Sequence, residues 1–189
     1  MSNKRFVIVI TGAAGTGKTT ISDYLMKRYG IPKVITHTTR PPRDHEQNGV
    51  DYYFETQQSF KQLHLLESVK YSGNYYGSSY EGLERAFVKS PIVSIVLDTK
   101  GAITYKDKLG SEAVVIFLRV KNPAELKQRM IDRGDTMAQI QVRMESKEDE
   151  RDLTLPSALK GRSIVIDNEE WSQTRERIDQ IVLNLRKQL

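Results

Sequence analysis

The stretch that most limits what this chain can become is Gly12, Ala13, Ala14, Gly15, Thr16, Gly17, Lys18 and Thr19, directly after the apolar run of residues 6–10. It fits G-x-x-x-x-G-K-[ST], a loop whose backbone N–H groups cradle phosphate oxygens. Gly12, Gly15 and Gly17 adopt backbone angles closed to other residues and let the main chain approach a ligand without a Cβ in the way. Lys18 reaches toward β- and γ-phosphates, and the Thr19 hydroxyl is a ligand for Mg²⁺. Residues 20–29 carry a helical pattern, so Thr20 and its neighbours aim amides and the positive end of the helix dipole at the same anion. A strand, this loop and a helix commit the chain to an α/β fold.

At 189 residues the chain suits one such domain with small insertions. Its net charge of +5 is mild and no basic tail stands out, which points to small phosphorylated ligands rather than nucleic acid. There is no cysteine, which excludes disulfides and thiolate metal sites. His37, His45 and His64 are scattered without metal-ligand spacing. Residues 6–10 are too short for a signal sequence, and no apolar run approaches a membrane span, so a cytoplasmic protein without membrane contact is the expectation.

Along the chain, Gly30 and Pro32 stop the first helix, and residues 33–36 read as a short strand. Pro41 and Pro42 favour polyproline II, whose period of about three residues puts Arg40 and Arg43 on one edge, about 9 Å apart, suited to gripping one phosphate. Asn48 and Gly49 form a turn before the strand-like residues 50–54. Thr56 caps a helix with Phe60, Leu63 and Leu66 at helical spacing. Residues 67–71 read as a strand, residues 73–78 as a turn, and 36–78 together as a small antiparallel insertion. Residues 80–88 are helical, and residues 92–97 form a buried strand ending in Asp98. A carboxylate there organises Mg²⁺ in P-loop sites, or else caps the next helix. After a second buried strand at 113–120, Asn122 and Pro123 start a helix ending at Gly134. Residues 135–152 read as one charged helical stretch. Arg129 and Arg133 of the helix before Gly134, with Arg143 in the middle of this stretch, either face solvent or belong to a mobile lid. Residues 163–166 are a last strand ending at Asp167, and a helix from Trp171 closes the chain.

The runs Thr36–Arg43 (T-H-T-T-R-P-P-R), residues 48–52 (N-G-V-D-Y) and 73–78 (G-N-Y-Y-G-S) resemble the guanylate kinase family, in order and spacing over nearly the whole chain. The resemblance implies a P-loop NTPase-type parallel sheet flanked by helices (1–35 and 87–189), a GMP-binding insertion (36–86) and a short helical lid (about 129–146). It implies transfer of the γ-phosphoryl of ATP to GMP or dGMP by a monomer or homodimer. By position, Arg40, Arg43, Tyr52 and Tyr76 hold the GMP phosphate, and Thr36, Glu67 and Ser78 read guanine, with Asp98 nearby. Arg133 and Arg143 close on the phosphates with Lys18, and Asp167 sits at an adenine contact. Mg²⁺ falls to Thr19, with Asp98 through water.

The chain departs from the family at several points. The acid expected two residues before Asp98 is Val96, and Lys100-Gly101 stands where Gln-Gly is usual. Thr36 replaces serine, and the lid is about one residue short. Two other readings follow: a kinase of the same fold with another acceptor, and a non-catalytic protein-binding module, against which the intact Gly17-Lys18-Thr19 argues.

Overall fold

The computed structural model describes residues 4–71 and 73–189. Its centre is strand β1 (Phe6–Thr11), buried along its whole length. An unbroken apolar run suits a strand covered on both faces. β1 pairs in parallel with β6 (Ile92–Val96) and β7 (Ala113–Arg119), and β7 with β8 (Ser163–Asp167), giving the order β6-β1-β7-β8. Side chains alternate across a strand, so two cores form. Ile8 and Ile10 pack with Ile21 and Leu25 of α1 (Lys18–Tyr29) and Ile178 and Val182 of α8 (Trp171–Arg186). Val7 and Val9 face Leu83 of α3 (Tyr80–Phe87) and Ala102 and Tyr105 of α4 (Thr99–Leu109). The result is a three-layer α/β/α core with the loop of residues 12–17 at the carboxyl end of β1.

The strand expected at residues 33–36 shrinks to one parallel bridge, Lys33 with Ser94 of β6. The chain then leaves this sheet, because Thr36 O already accepts from Tyr53 N at 2.8 Å in a second one. That second sheet joins β2 (His37–Thr38), β3 (Tyr53–Phe54), β4 (Leu65–Tyr71) and β5 (Asn74–Ser79) in the order β3-β2-β5-β4. It is mixed rather than antiparallel: β2 and β3 run parallel, since the long loop between them brings the chain back to the end where β2 began. Residues 74–78, expected in a turn, belong to β5. The helix from the Thr56 cap, α2 (Gln57–Lys61), is short, and Leu66 lies in β4 instead.

The segments 39–46 and 135–152 also differ from expectation. Prolines do not hold residues 40–43 as a free extended edge: Glu46 N donates to Arg43 O at 3.0 Å and Arg43 N to a Glu46 carboxylate oxygen at 2.8 Å, closing a turn. After α5 (Pro123–Asp132), the charged stretch splits into α6 (Met137–Met144) and α7 (Lys147–Asp152). Two caps make the division. Thr136 and Gln139 form a capping box, and Ser146 accepts from Asp149 N while donating to Arg143 O. Among the described residues, no helix is long and apolar enough to cross a membrane.

Candidate functional site

Helix α1 begins with no side-chain cap and no acid in its first turn, which leaves its positive end to whatever anion the loop holds. The loop is braced from behind. Buried Asn168 donates through Nδ2 to Thr16 O at 2.8 Å and accepts through Oδ1 from Thr174 at 2.8 Å. Gly17 has φ +98°, and a Cβ on it would stand 2.4 Å from Asn168 Nδ2, so brace and glycine require each other. Thr16 Oγ1 donates to Ala13 O at 2.8 Å. The Lys18 ammonium curls into the loop, donating to Gly12 O at 2.6 Å and Ala13 O at 2.8 Å. Burial lowers its pKa to about 8 against the pull of Asp152 and Asp149. Thr19 and Thr20 lie exposed on the first turn of α1.

In front of the loop is a cavity of about 380 Å³ whose walls include Gly12, Ala14 and Lys18 on one side and Thr36, Tyr52, Glu67 and Tyr76 on the other, with Val96 and Asp98 between and Arg143 above. The two sheets thus bring residues far apart in sequence to one space. Glu67 is 7% exposed, and its Oε1 has no hydrogen-bond partner. Burial pushes its carboxyl up to about 7, with hydrogen bonding from Ser78 opposing and the charge of Asp98 adding to the rise. Gly101 makes the crowding possible: a Cβ there would come 3.2 Å from Asp98 Oδ1 and 3.3 Å from Glu67 Oε2. Ser78 is buried beside Glu67 in register and accepts from Tyr105 OH at 2.8 Å. Asp98 caps α4 through Gly101 N at 2.7 Å and also takes an ion pair from Arg151 at 2.9 Å. The capping role weighed in the sequence is therefore real.

Arg40 lies behind the tyrosines, with its guanidinium carbon 5.6 Å from the Tyr52 ring centre and Tyr52 6.3 Å from Tyr76. Both oxygens of Glu46 accept from Arg40 Nη2, at 2.7 and 2.8 Å, which holds the fork in one orientation. Arg43 meets the same carboxylate through its main chain. On the lid side, Asp135 pairs with Arg133 and, at 3.4 Å, with Arg143. Those two arginines therefore converge on one carboxylate, although only Arg143 lines the cavity. Asp167 stands apart: it is exposed and bound to Arg119 at 2.6 Å.

Sequence reasoning missed Asn168, Glu46, Asp135, Asp149, Arg151 and Asp152. Asp149 Oδ1 accepts from Ala14 N of the loop at 2.7 Å, while buried Asp152 accepts from Thr99 and Arg151. Only Ser146, three residues before Asp149 in a cap-like S-x-x-D spacing, hinted that α7 begins a new element.

A phosphate loop facing a small second sheet across one cavity, under arginine-bearing helices, is the architecture of a P-loop nucleotide kinase. The family profile for guanylate kinase matches residues 4–184, and the chain belongs to that family. It is 38% identical over 147 residues to a guanylate kinase of Thermus thermophilus, an alignment covering 75% of this chain and 66% of that protein. It is 30% identical over 190 residues to one from Campylobacter jejuni, covering 97% and 89%. The crystal structure of guanylate kinase from Anaplasma phagocytophilum has the same fold, with a TM-score of 0.67 at 23% identity over 97% of this chain and 87% of that one.

Proposed function

We infer that this chain transfers the γ-phosphoryl group of ATP to GMP or dGMP, giving ADP and the nucleoside diphosphate. Glu67 carries the inference. A buried carboxylate with an unpartnered oxygen, on a wall opposite the phosphate loop, is satisfied by a ligand presenting two N–H donors side by side. Guanine does so through its N1–H and amino group; adenine leaves a desolvated acid unpaired and is rejected.

In this reading Thr36 and Ser78 flank the base, and Arg40, Arg43, Tyr52 and Tyr76 hold the acceptor phosphate. The loop from Gly12 to Thr20 holds the donor phosphates, with adenine toward Asp167. The attacking atom is already an anionic phosphate oxygen, so no general base is needed. What remains is alignment and charge neutralisation by Lys18, Arg133 and Arg143. The donor set suits Mg²⁺: a hydroxyl on Thr19 and a carboxylate on Asp98, with no group of three acids or histidines fit for a metal among the described residues. Such a site takes most of its oxygens from phosphate and water. Held by Thr19 and Asp98, such an ion would supply positive charge to the donor phosphates.

ADP release measured with GMP, dGMP, IMP, AMP, UMP and sugar phosphates tests the reading. GMP and dGMP are expected to be used and AMP refused. Preference for an acceptor without guanine would move the assignment to a kinase of the same fold with another substrate.

A further inference from the structure

The amide that Asp149 occupies belongs to the phosphate loop itself. Its Oδ1 lies 2.7 Å from Ala14 N, an oxygen-to-nitrogen contact of the kind a phosphate oxygen makes in such a loop. The carboxylate is half-buried at the cavity wall, in the field of Lys18. The same six-residue helix, α7, also grips the acceptor side of the cavity. Arg151 donates to Asp98 at 2.9 Å and to Thr99 Oγ1 at 3.1 Å, and Thr99 donates to Asp152.

We propose that Asp149 is a built-in competitor for the donor phosphate: the triphosphate must displace its carboxylate from Ala14 N, and this exchange sets donor affinity and loosens α7 from the loop. The proposal rests on the loop holding a donor phosphate. The exchange balances bond for bond, with one N–H···O⁻ contact broken and one formed, so nothing covalent changes. Like charge sharpens it, because a carboxylate left in place repels the incoming phosphate at close range. Burial raises the pKa of Asp149 against the pull of Ala14 N and Lys18, which marks a carboxylate held at a cost there and readily exchanged for a better anion. Two other carboxylates stand in comparable places, Glu46 on Arg40 and Asp135 on Arg133 and Arg143, but neither blocks a main-chain donor of the loop.

The test is calorimetric binding of inorganic pyrophosphate and of ADP to the full chain, in the wild type and in the Asp149→Ala, Asp149→Asn and Glu150→Ala variants, each checked for fold by circular dichroism. Asp149→Ala is expected to tighten pyrophosphate about tenfold, the scale of losing one charged competitor for a hydrogen bond. Asp149→Asn, which keeps an acceptor without its charge, is expected to fall between Asp149→Ala and wild type. Glu150→Ala, exposed on the same helix, controls for general charge, and an equal gain from it would overturn the proposal. Unchanged or weaker binding in Asp149→Ala overturns the proposal alone. Failure of wild type and Asp149→Ala alike to bind pyrophosphate or ADP overturns the donor-site reading as well.

Discussion

Replacing Glu67 by glutamine removes a buried ionisable group from the cavity wall proposed to face the base. In the folded chain its carboxyl rises from 4.5 to about 7, chiefly through burial, a displacement worth roughly 3 kcal/mol. Below about pH 4.5 the group is protonated whether the chain is folded or not. Between 4.5 and 7 the folded chain keeps a proton that the unfolded chain has released, so stability falls as pH rises; above 7 the full cost is present. Ligand-free wild type should therefore lose roughly 3 kcal/mol from this group across that window, and Glu67→Gln should lack that fall. Binding shows the same titration from the other side. GMP selects the ionised form, whose share rises from about one-eleventh at pH 6 to about ten-elevenths at pH 8, so KM for GMP should drop about tenfold. The acceptor phosphate ionises near pH 6 as well, but it does so in both proteins, so the ratio of the two KM profiles isolates Glu67. The assays are ADP release against GMP concentration from pH 6 to 8, and urea unfolding of ligand-free protein from pH 4.5 to 8. Identical KM profiles in the two proteins, or a wild-type stability that does not fall between pH 4.5 and 7 relative to Glu67→Gln, would mean that Glu67 is not the titrating group.

Lys18→Ala should abolish turnover while circular dichroism stays native, and wild-type turnover would contradict its role. Asn168→Ala removes the brace on Thr16 O and the bond to Thr174, with an expected cost of about 1–3 kcal/mol in urea unfolding and a higher KM for ATP. An unchanged KM would mean that the loop holds its shape unaided. Arg143→Ala should lower kcat more than it raises KM for GMP if, as proposed, its charge acts where phosphoryl transfer develops charge; a pure KM effect would place Arg143 in ground-state binding.

The core was legible because its signals are local and strong. The apolar run of β1, the glycine loop and the helical spacing of Ile178, Ile181, Val182 and Leu185 each settle one element without help from distant residues. Elements whose form depends on pairing were less legible. Lys33 to Thr36 has strand composition, but Thr36 is claimed by Tyr53 across the second sheet, so only a bridge survives. The parallel pairing of β2 with β3 is set by how the loop between them returns, and nothing in the residues of either strand encodes it. The site divides in the same way. Glycines, arginines and tyrosines belong to short motifs and can be read off in order. Asn168, Glu46 and Asp149 act through tertiary contacts across 152, 6 and 135 positions respectively. Glu46 is as near in sequence as any motif residue, yet it was hidden because the two prolines suggested an extended segment instead of a closed turn.

The most direct measurement is transfer itself. The protein is incubated with γ-labelled ATP, Mg²⁺ and GMP, and the products are separated. Label is expected in GDP, formed one for one with ADP, and none in AMP-derived product when AMP replaces GMP. Bound ATP whose label stays in place or passes only to inorganic phosphate, with GMP at saturating concentration, would contradict it.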